Sequence, residues 1–359
     1  MKRIFMVGMS TNRGGVESYI ANLVAHLNSE EFQIVYDWPE IIVNGVKWKR
    51  PANRHNYFKW RQFWTKFFQT NHFDCLYMNA CDIVSIDLLR FGRAAGIPVR
   101  ILHAHSSGIQ QGITQGLSLF HRICEWHSRK VLHKYATHLL ACSQVAGEWM
   151  FDGRPFQIIK NGIDLDQYAY HDESRSKCRG MFNIDKDVPL IGCIGRLAPE
   201  KNPLRSVEIA KRILLMQPDA EIVFVGDGEM RSAVRQKVAE AGLENKILFA
   251  GAVDNVNEWM SAVDCLMMPS LFEGLPFVLV EAQAAGLPCI VSSAVSKEAN
   301  LTGLLKFISL EASSETWAKE ISVHCSRRRP DTRRQLTEAG YSIKDSVKAV
   351  EKILRMDMQ

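Results

Sequence analysis

Short apolar runs alternate with longer amphipathic stretches along most of this chain. In the first half, residues 4–7, 34–36, 75–78, 99–103 and 138–142 read as strands, and residues 16–27, 57–68, 83–95 and 119–133 as helices. Ile20, Leu23, Val24 and Leu27 fall on one helical face. Strands alternating with helices predict an open, mostly parallel sheet. After Lys160-Asn161-Gly162-Ile163-Asp164 the sequence turns polar and charged up to Asp187, a composition shift that predicts the domain boundary. From Pro189 a tighter alternation begins. Strands are predicted at 190–194, 222–225, 247–249, 265–268, 289–291 and 305–308, and helices at 203–216, 230–241, 256–262, 276–285 and 315–325. Connections this short predict a second doubly wound α/β domain. The expected division is 1–165, 166–342 and a closing helix over 343–356, in a 343–359 tail that packs back toward the first domain.

Two doubly wound domains are expected to face each other across a cleft. Ligands of such sheets sit outside the carboxyl ends of the strands, so chemistry is sought just after strands. In the second domain, Gly195-Arg196-Leu197-Ala198-Pro199-Glu200-Lys201-Asn202-Pro203 joins a strand to a helix. Pro203 suits a first helical position, and Arg196, Lys201 and free helix N–H groups suit an anion, a diphosphate better than a monophosphate. A solvated basic loop is the competing reading. Gly226-Asp227-Gly228-Glu229 follows the next strand, a weak signal by itself. In Pro269-Ser270-Leu271-Phe272-Glu273-Gly274-Leu275-Pro276-Phe277, unpaired N–H groups at Gly274, Leu275 and Phe277 are expected to hold a phosphate or sugar hydroxyl. Glu281, inside the helix that follows, suits a vicinal diol such as a ribose. A surface salt bridge is its bland alternative, weakened by the apolar run 277–280 before it.

In the first domain, Arg13-Gly14-Gly15-Val16-Glu17 lies between strand and helix, but the GxGxxG of a dinucleotide site is missing. The loop is either a ligand-facing turn or a plain one. His103 and His105 end a strand two residues apart, so both reach one face or one packs in the core. No further ligand spacing supports a metal there. Asp164-Leu165-Asp166 and Asp185-Lys186-Asp187 read as caps or turns.

Taken together and in this order, these loops resemble the retaining GT-B glycosyltransferases of family 4 over nearly the whole chain. Arg13–Glu17 resembles the family's N-terminal Gly-rich loop, with Gly14 and Gly15, and Asn161-Gly162-Ile163-Asp164 its interdomain segment. Gly195-Arg196 with Lys201-Asn202 resembles its phosphate loop, and Glu273 with Glu281 its E-x7-E motif. His103-Ala104-His105-Ser106-Ser107, Ala141-Cys142-Ser143 and Lys297-Glu298-Ala299-Asn300-Leu301-Thr302 resemble the branch that builds bacterial capsular and exopolysaccharides.

The resemblance implies roles. Arg196 and Lys201 would bind the diphosphate of a UDP- or GDP-linked sugar, and Glu281 its ribose. Glu273 and the Gly274–Phe277 backbone, which includes Leu275 and Pro276, would bind the donor sugar, and His105 would line the reaction centre. No metal would be needed, because protein cations replace it. The leaving phosphate would help deprotonate the acceptor in a front-face retaining reaction. The acceptor would be a glycan or an undecaprenyl-diphosphate-linked one. The alternatives are another GT-B nucleotide-sugar enzyme such as an epimerase, an NAD-dependent oxidoreductase, disfavoured by the missing fingerprint, and a silent binding subunit.

Composition refines this picture. The 359 residues are 47% hydrophobic and 23% charged, which excludes a disordered chain and fits two domains. Nine cysteines without a CxxC pair suggest reduced thiols and a cytoplasmic protein. The apolar run at 4–7 stops at Gly8, too soon for a signal peptide, and 275–291 contains Glu281, Gly286 and two prolines, unlike a membrane span. A net charge of +5 demands no nucleic acid, yet it is unevenly placed: residues 1–160 hold 19 Lys+Arg against 11 Asp+Glu. Much of that excess lies between Lys47 and Phe68, where Lys47, Lys49, Arg50, Arg54, Lys59, Arg61 and Lys66 interleave with eight aromatic residues. This region is either an anionic-membrane surface on the inner face of the plasma membrane, or a core-facing helix with a solvated basic side.

Overall fold

The computed structural model describes residues 1–10, 14–51, 56–106, 119–273, 276–325 and 328–356. The chain forms two units, Met1–Gly162 with Ile343–Gln359, and Ile163–Ser342. Each is built on a six-stranded parallel sheet.

In the first unit, β1 (Lys2–Val7), β2 (Phe32–Tyr36), β5 (Cys75–Ala80), β6 (Val99–Ala104), β7 (His138–Ala141) and β8 (Gln157–Ile158) are ordered β2-β1-β5-β6-β7-β8. Strand order reverses direction between β1 and β5, so their carboxyl ends flank this sheet's switch point. The helix Tyr57–Thr70 packs on the sheet through Trp60, Trp64, Phe67 and Phe68, all buried. Phe5 meets Trp64, Phe67 and Phe68 at ring distances of 5.7, 5.4 and 5.4 Å. Lys59, Arg61 and Lys66 lie on its exposed side. The aromatic content of this segment therefore serves mainly the core. β3 (Glu40–Val43) and β4 (Val46–Lys49) form an antiparallel hairpin. Asn44 and Gly45 both have positive φ, the two-residue turn that matches strand twist.

The closing helix Ile343–Met356 belongs to this unit. Arg355 pairs with Glu31 at 2.9 Å, Glu351 accepts the Asn28 N–H at 3.2 Å, and the Ser346 hydroxyl donates to the Lys160 carbonyl at 2.8 Å.

In the second unit, β9 (Leu190–Ile194), β10 (Glu221–Val225), β11 (Ile247–Gly251), β12 (Cys265–Met268), β13 (Cys289–Ser292) and β14 (Leu305–Ile308) are ordered β11-β10-β9-β12-β13-β14. β9, β12 and β13 are buried throughout, as strands covered by helices on both faces must be. The reversal here falls between β9 and β12.

The polar stretch expected to mark the domain boundary belongs to this unit. It contains the helix Asp172–Gly180, whose Arg175 and Arg179 are buried against Asp264 at 2.8 and 3.5 Å. Asp264 also accepts the Leu190 N–H at 2.9 Å, tying that helix to the start of β9. Among the described residues, no helix is long and apolar enough to cross a membrane.

Candidate active site

Beside the switch point of the second sheet, the loops leaving β9 and β10 are laced together. Gly195 N–H donates to the Val225 carbonyl at 2.9 Å, and Leu197 N–H to that of Asp227 at 3.0 Å. The approach leaves no room for side chains: a Cβ on Gly226 would stand 2.0 Å from the Gly195 oxygen, at a φ of +137°. The weak glycine signal after β10 thus has a structural cause. Pro203 opens the helix Pro203–Met216, preceded by Asn202 in the left-handed region. A pocket at these strand ends is lined by Gly195, Arg196, Lys201 and Pro203, with Phe224 from β10 and Met268 from β12 as part of its floor.

Each cation of this pocket has a carboxylate partner. Arg196 holds Glu200 at 2.6 Å, and Lys201 donates to Glu273. Glu273 is placed by its backbone, which bridges to Val295 and accepts the Ser296 N–H at 3.2 Å. The sequence motif's first glutamate is thereby joined to Lys201, a link that the spacing alone did not contain. Gly274 and Leu275 lie outside the described residues, as do Arg13 and Ser107.

Pro276 caps the helix Phe277–Ala284, on which Glu281 is only 8% exposed. Burial pushes the Glu281 carboxyl up to about 7, opposed by a hydrogen bond from the Tyr168 hydroxyl at 2.9 Å. Sequence reading missed Tyr168, which stands 113 positions away.

In the first unit, His103 and His105 stand at the end of β6 with ring centroids 4.1 Å apart. Their fates differ. His103 is fully buried, and its Nδ1 meets the Tyr77 hydroxyl at 3.0 Å, which in turn meets Tyr19 at 3.2 Å. His105 is partly exposed, with Nε2 at 2.9 Å from the Asn79 Oδ1. The Asn79 amide donates from Nδ2 to the Val7 carbonyl at 3.0 Å, which turns its oxygen toward the ring. His105 therefore carries its proton on Nε2 and keeps Nδ1 as an acceptor. Burial pushes its pKa down to about 3, so the ring is neutral near pH 7. Gly15 starts the helix Gly15–His26, and Glu17 staples the loop before it, accepting from the Gly14 N–H at 3.0 Å and the Ser10 hydroxyl at 2.5 Å.

The two Asp-x-Asp segments are local turns. Asp164 accepts from the N–H groups of Asp166 and Gln167 at 3.0 and 3.1 Å, and Asp185 from Asp187 at 3.3 Å.

Comparison with known proteins gives the family and the fold. Residues 13–167 match the model of Glycosyltransferase Family 4, and residues 174–343 that of Glycosyl transferases group 1. EpsF of Bacillus subtilis (strain 168), named as a glycosyltransferase, is 26% identical over 97% of this chain and 95% of its own. The UDP-Gal:alpha-D-GlcNAc-diphosphoundecaprenol alpha-1,3-galactosyltransferase of Escherichia coli is 29% identical, over 56% of this chain and 53% of its own. The crystal structure of Anabaena HepE in complex with UDP and glucose shares the fold, with a TM-score of 0.73 at 16% identity, covering 99% of this chain and 100% of that one. Two family models that between them span nearly the whole chain, on two parallel-sheet Rossmann-like units, make it a member of the family 4 glycosyltransferases of GT-B fold.

Proposed function

We propose that this glycosyltransferase is a retaining, metal-independent hexosyltransferase. It moves a sugar from a UDP- or GDP-linked donor to a glycan or undecaprenyl-diphosphate-linked acceptor in capsule or exopolysaccharide synthesis. The observation that carries the reading is the pocket at the switch point of the second sheet, lined by both Arg196 and Lys201. Relatives point the same way: one is named for UDP-Gal and a diphosphoundecaprenol acceptor, another for Vi polysaccharide biosynthesis.

In this reading, the bond between the sugar's anomeric carbon and the diphosphate oxygen breaks, and its electron pair goes to the diphosphate. Arg196 and Lys201 exchange their carboxylate partners for that growing charge, which preorganised cations stabilise. The acceptor oxygen attacks from the face the diphosphate leaves, and its proton passes to a phosphate oxygen. No protein base is then required. His105, neutral near pH 7, lines the reaction centre. Glu273 orients the donor sugar with the backbone at Gly274–Phe277.

Incubation with a panel of nucleotide-sugars, with and without EDTA, tests the proposal. Release of UDP or GDP that survives EDTA, with an α-linked product from an α-linked donor, is expected. Inversion at the anomeric carbon or dependence on a divalent cation would overturn those parts, and thermal stabilisation by NAD alone would overturn the whole.

Association with an anionic membrane is part of the same proposal, and the strongest support for it comes from a second segment. On the helix Leu119–Val131, Leu119, Phe120, Ile123 and Trp126 are each more than half exposed, whereas its one buried residue is Ser128. Its apolar side faces outward, and exposed Arg122 and Lys130 accompany it. Arg129 over the Trp149 ring at 4.9 Å and Arg90 at 3.0 Å from His127 hold the helix to its unit. Apolar and basic groups together suit an anionic bilayer surface. In co-sedimentation, the wild type is expected to pellet with phosphatidylglycerol vesicles, and the Phe120→Ser/Trp126→Ser variant to stay in the supernatant. Equal pelleting of both would refute this surface.

A further inference from the structure

We infer that Tyr168 is a positioning residue for the donor's ribose: its hydroxyl fixes one oxygen of Glu281 and leaves the other for the ribose diol. The inference rests on the reading of Glu281 as the ribose-binding carboxylate and adds to it a residue outside the segments singled out in the sequence.

The geometry is specific. A carboxylate has acceptor room for about four hydrogen bonds. Burial strips water from Glu281, yet among the described residues the side-chain donor that reaches it is one phenol, at 2.9 Å on Oε1. Among these residues the remaining capacity is unspent. Vicinal hydroxyls, two adjacent donors, match what is left. Tyr168 is itself held: it packs against the cluster that contains Ile163, Leu165, Val280 and Tyr341, and its N–H donates to the Asp164 carbonyl at 3.2 Å. The phenol is thus anchored at one end by the segment that opens the second unit and at the other by Glu281. Without the hydroxyl, the carboxylate is free to rotate and is more readily protonated, since Tyr168 is the titratable group whose hydrogen bond holds its pKa down. A protonated carboxyl donates where the diol needs an acceptor.

The test couples a protein atom to a ligand atom. UDP, GDP and their 2′-deoxy and 3′-deoxy forms are titrated calorimetrically from pH 6 to 8 against wild type, Tyr168→Phe and Glu281→Gln. The wild type is expected to bind the ribonucleotide more tightly than its deoxy forms. Tyr168→Phe, which keeps the ring packing, is expected to bind the ribonucleotide about 5–20-fold more weakly and the deoxy forms almost unchanged. Its binding midpoint should also move to higher pH. Equal discrimination and an unmoved midpoint in Tyr168→Phe would overturn the role of Tyr168, even where Glu281→Gln loses discrimination. Full discrimination in Glu281→Gln, or none in the wild type, would overturn the ribose reading and this inference with it.

Discussion

Lys201→Ala is expected to lower kcat/KM by about 10²–10³-fold, and Arg196→Ala by a similar factor, as removal of one preorganised donor to a developing anion does. Lys201 is the more exacting test. Its partner Glu273 is mostly buried, so the substitution removes a cation and also leaves a carboxylate beside the site, which repels a diphosphate. Glu273→Gln in the Lys201→Ala background should therefore recover part of the loss in donor binding, though not in kcat. Arg196 is more exposed and pairs with Glu200, so its loss should raise KM proportionally more. Steady-state kinetics on both variants and the double variant decide the matter. Near-wild-type turnover in both single variants would remove the basis for assigning the pocket to the diphosphate.

Glu281→Gln is expected to stabilise the ligand-free protein at pH 8 while weakening donor binding at least tenfold. The carboxyl's pKa rises from 4.5 to about 7 on folding because of burial. A raised folded pKa contributes stability below the unfolded value, and that contribution is lost as pH climbs through about 7. Above it, the buried charge costs about 2–4 kcal/mol. Glutamine avoids the charge, so the melting temperature of the variant should exceed wild type by several degrees at pH 8 and converge with it near pH 4.5. The same difference at both pH values would show that Glu281 is not the titrating group. A site that holds an unfavourable group for the sake of its ligand is where stability and function are expected to trade.

What was legible in the chain was what local pattern encodes. The apolar runs at β1, β9 and β12 and the helix at Pro203–Met216 stand where periodicity places them, because each strand is buried on both faces. The hairpin Glu40–Lys49 was overlooked although Asn44-Gly45 is a strong local turn signal. The helix Asp172–Gly180 was hidden for a different reason: Arg175 and Arg179 look like surface residues until Asp264, more than eighty positions on, neutralises them. Tyr168 and Asn79 share that difficulty. The motifs name Glu281 and His105, but the groups that orient them come from distant strands and segments, and no spacing rule connects them.

The closing helix has a consequence for biosynthesis. Ile163 N–H donates to the Tyr341 carbonyl at 2.9 Å and Ile163 bridges Ser342, so the second unit begins and ends at one place, as an inserted domain does. Its last residue, Ser342, is made before the segment Ile343–Met356 that Glu31, Asn28 and Lys160 of the first unit bind. On the ribosome, the unit begun first is thus finished last. Until residues 343–356 emerge, the face of the helix Gly15–His26 that Ile343–Met356 covers stays open, and nascent chains stalled before residue 343 should be the form that chaperones capture.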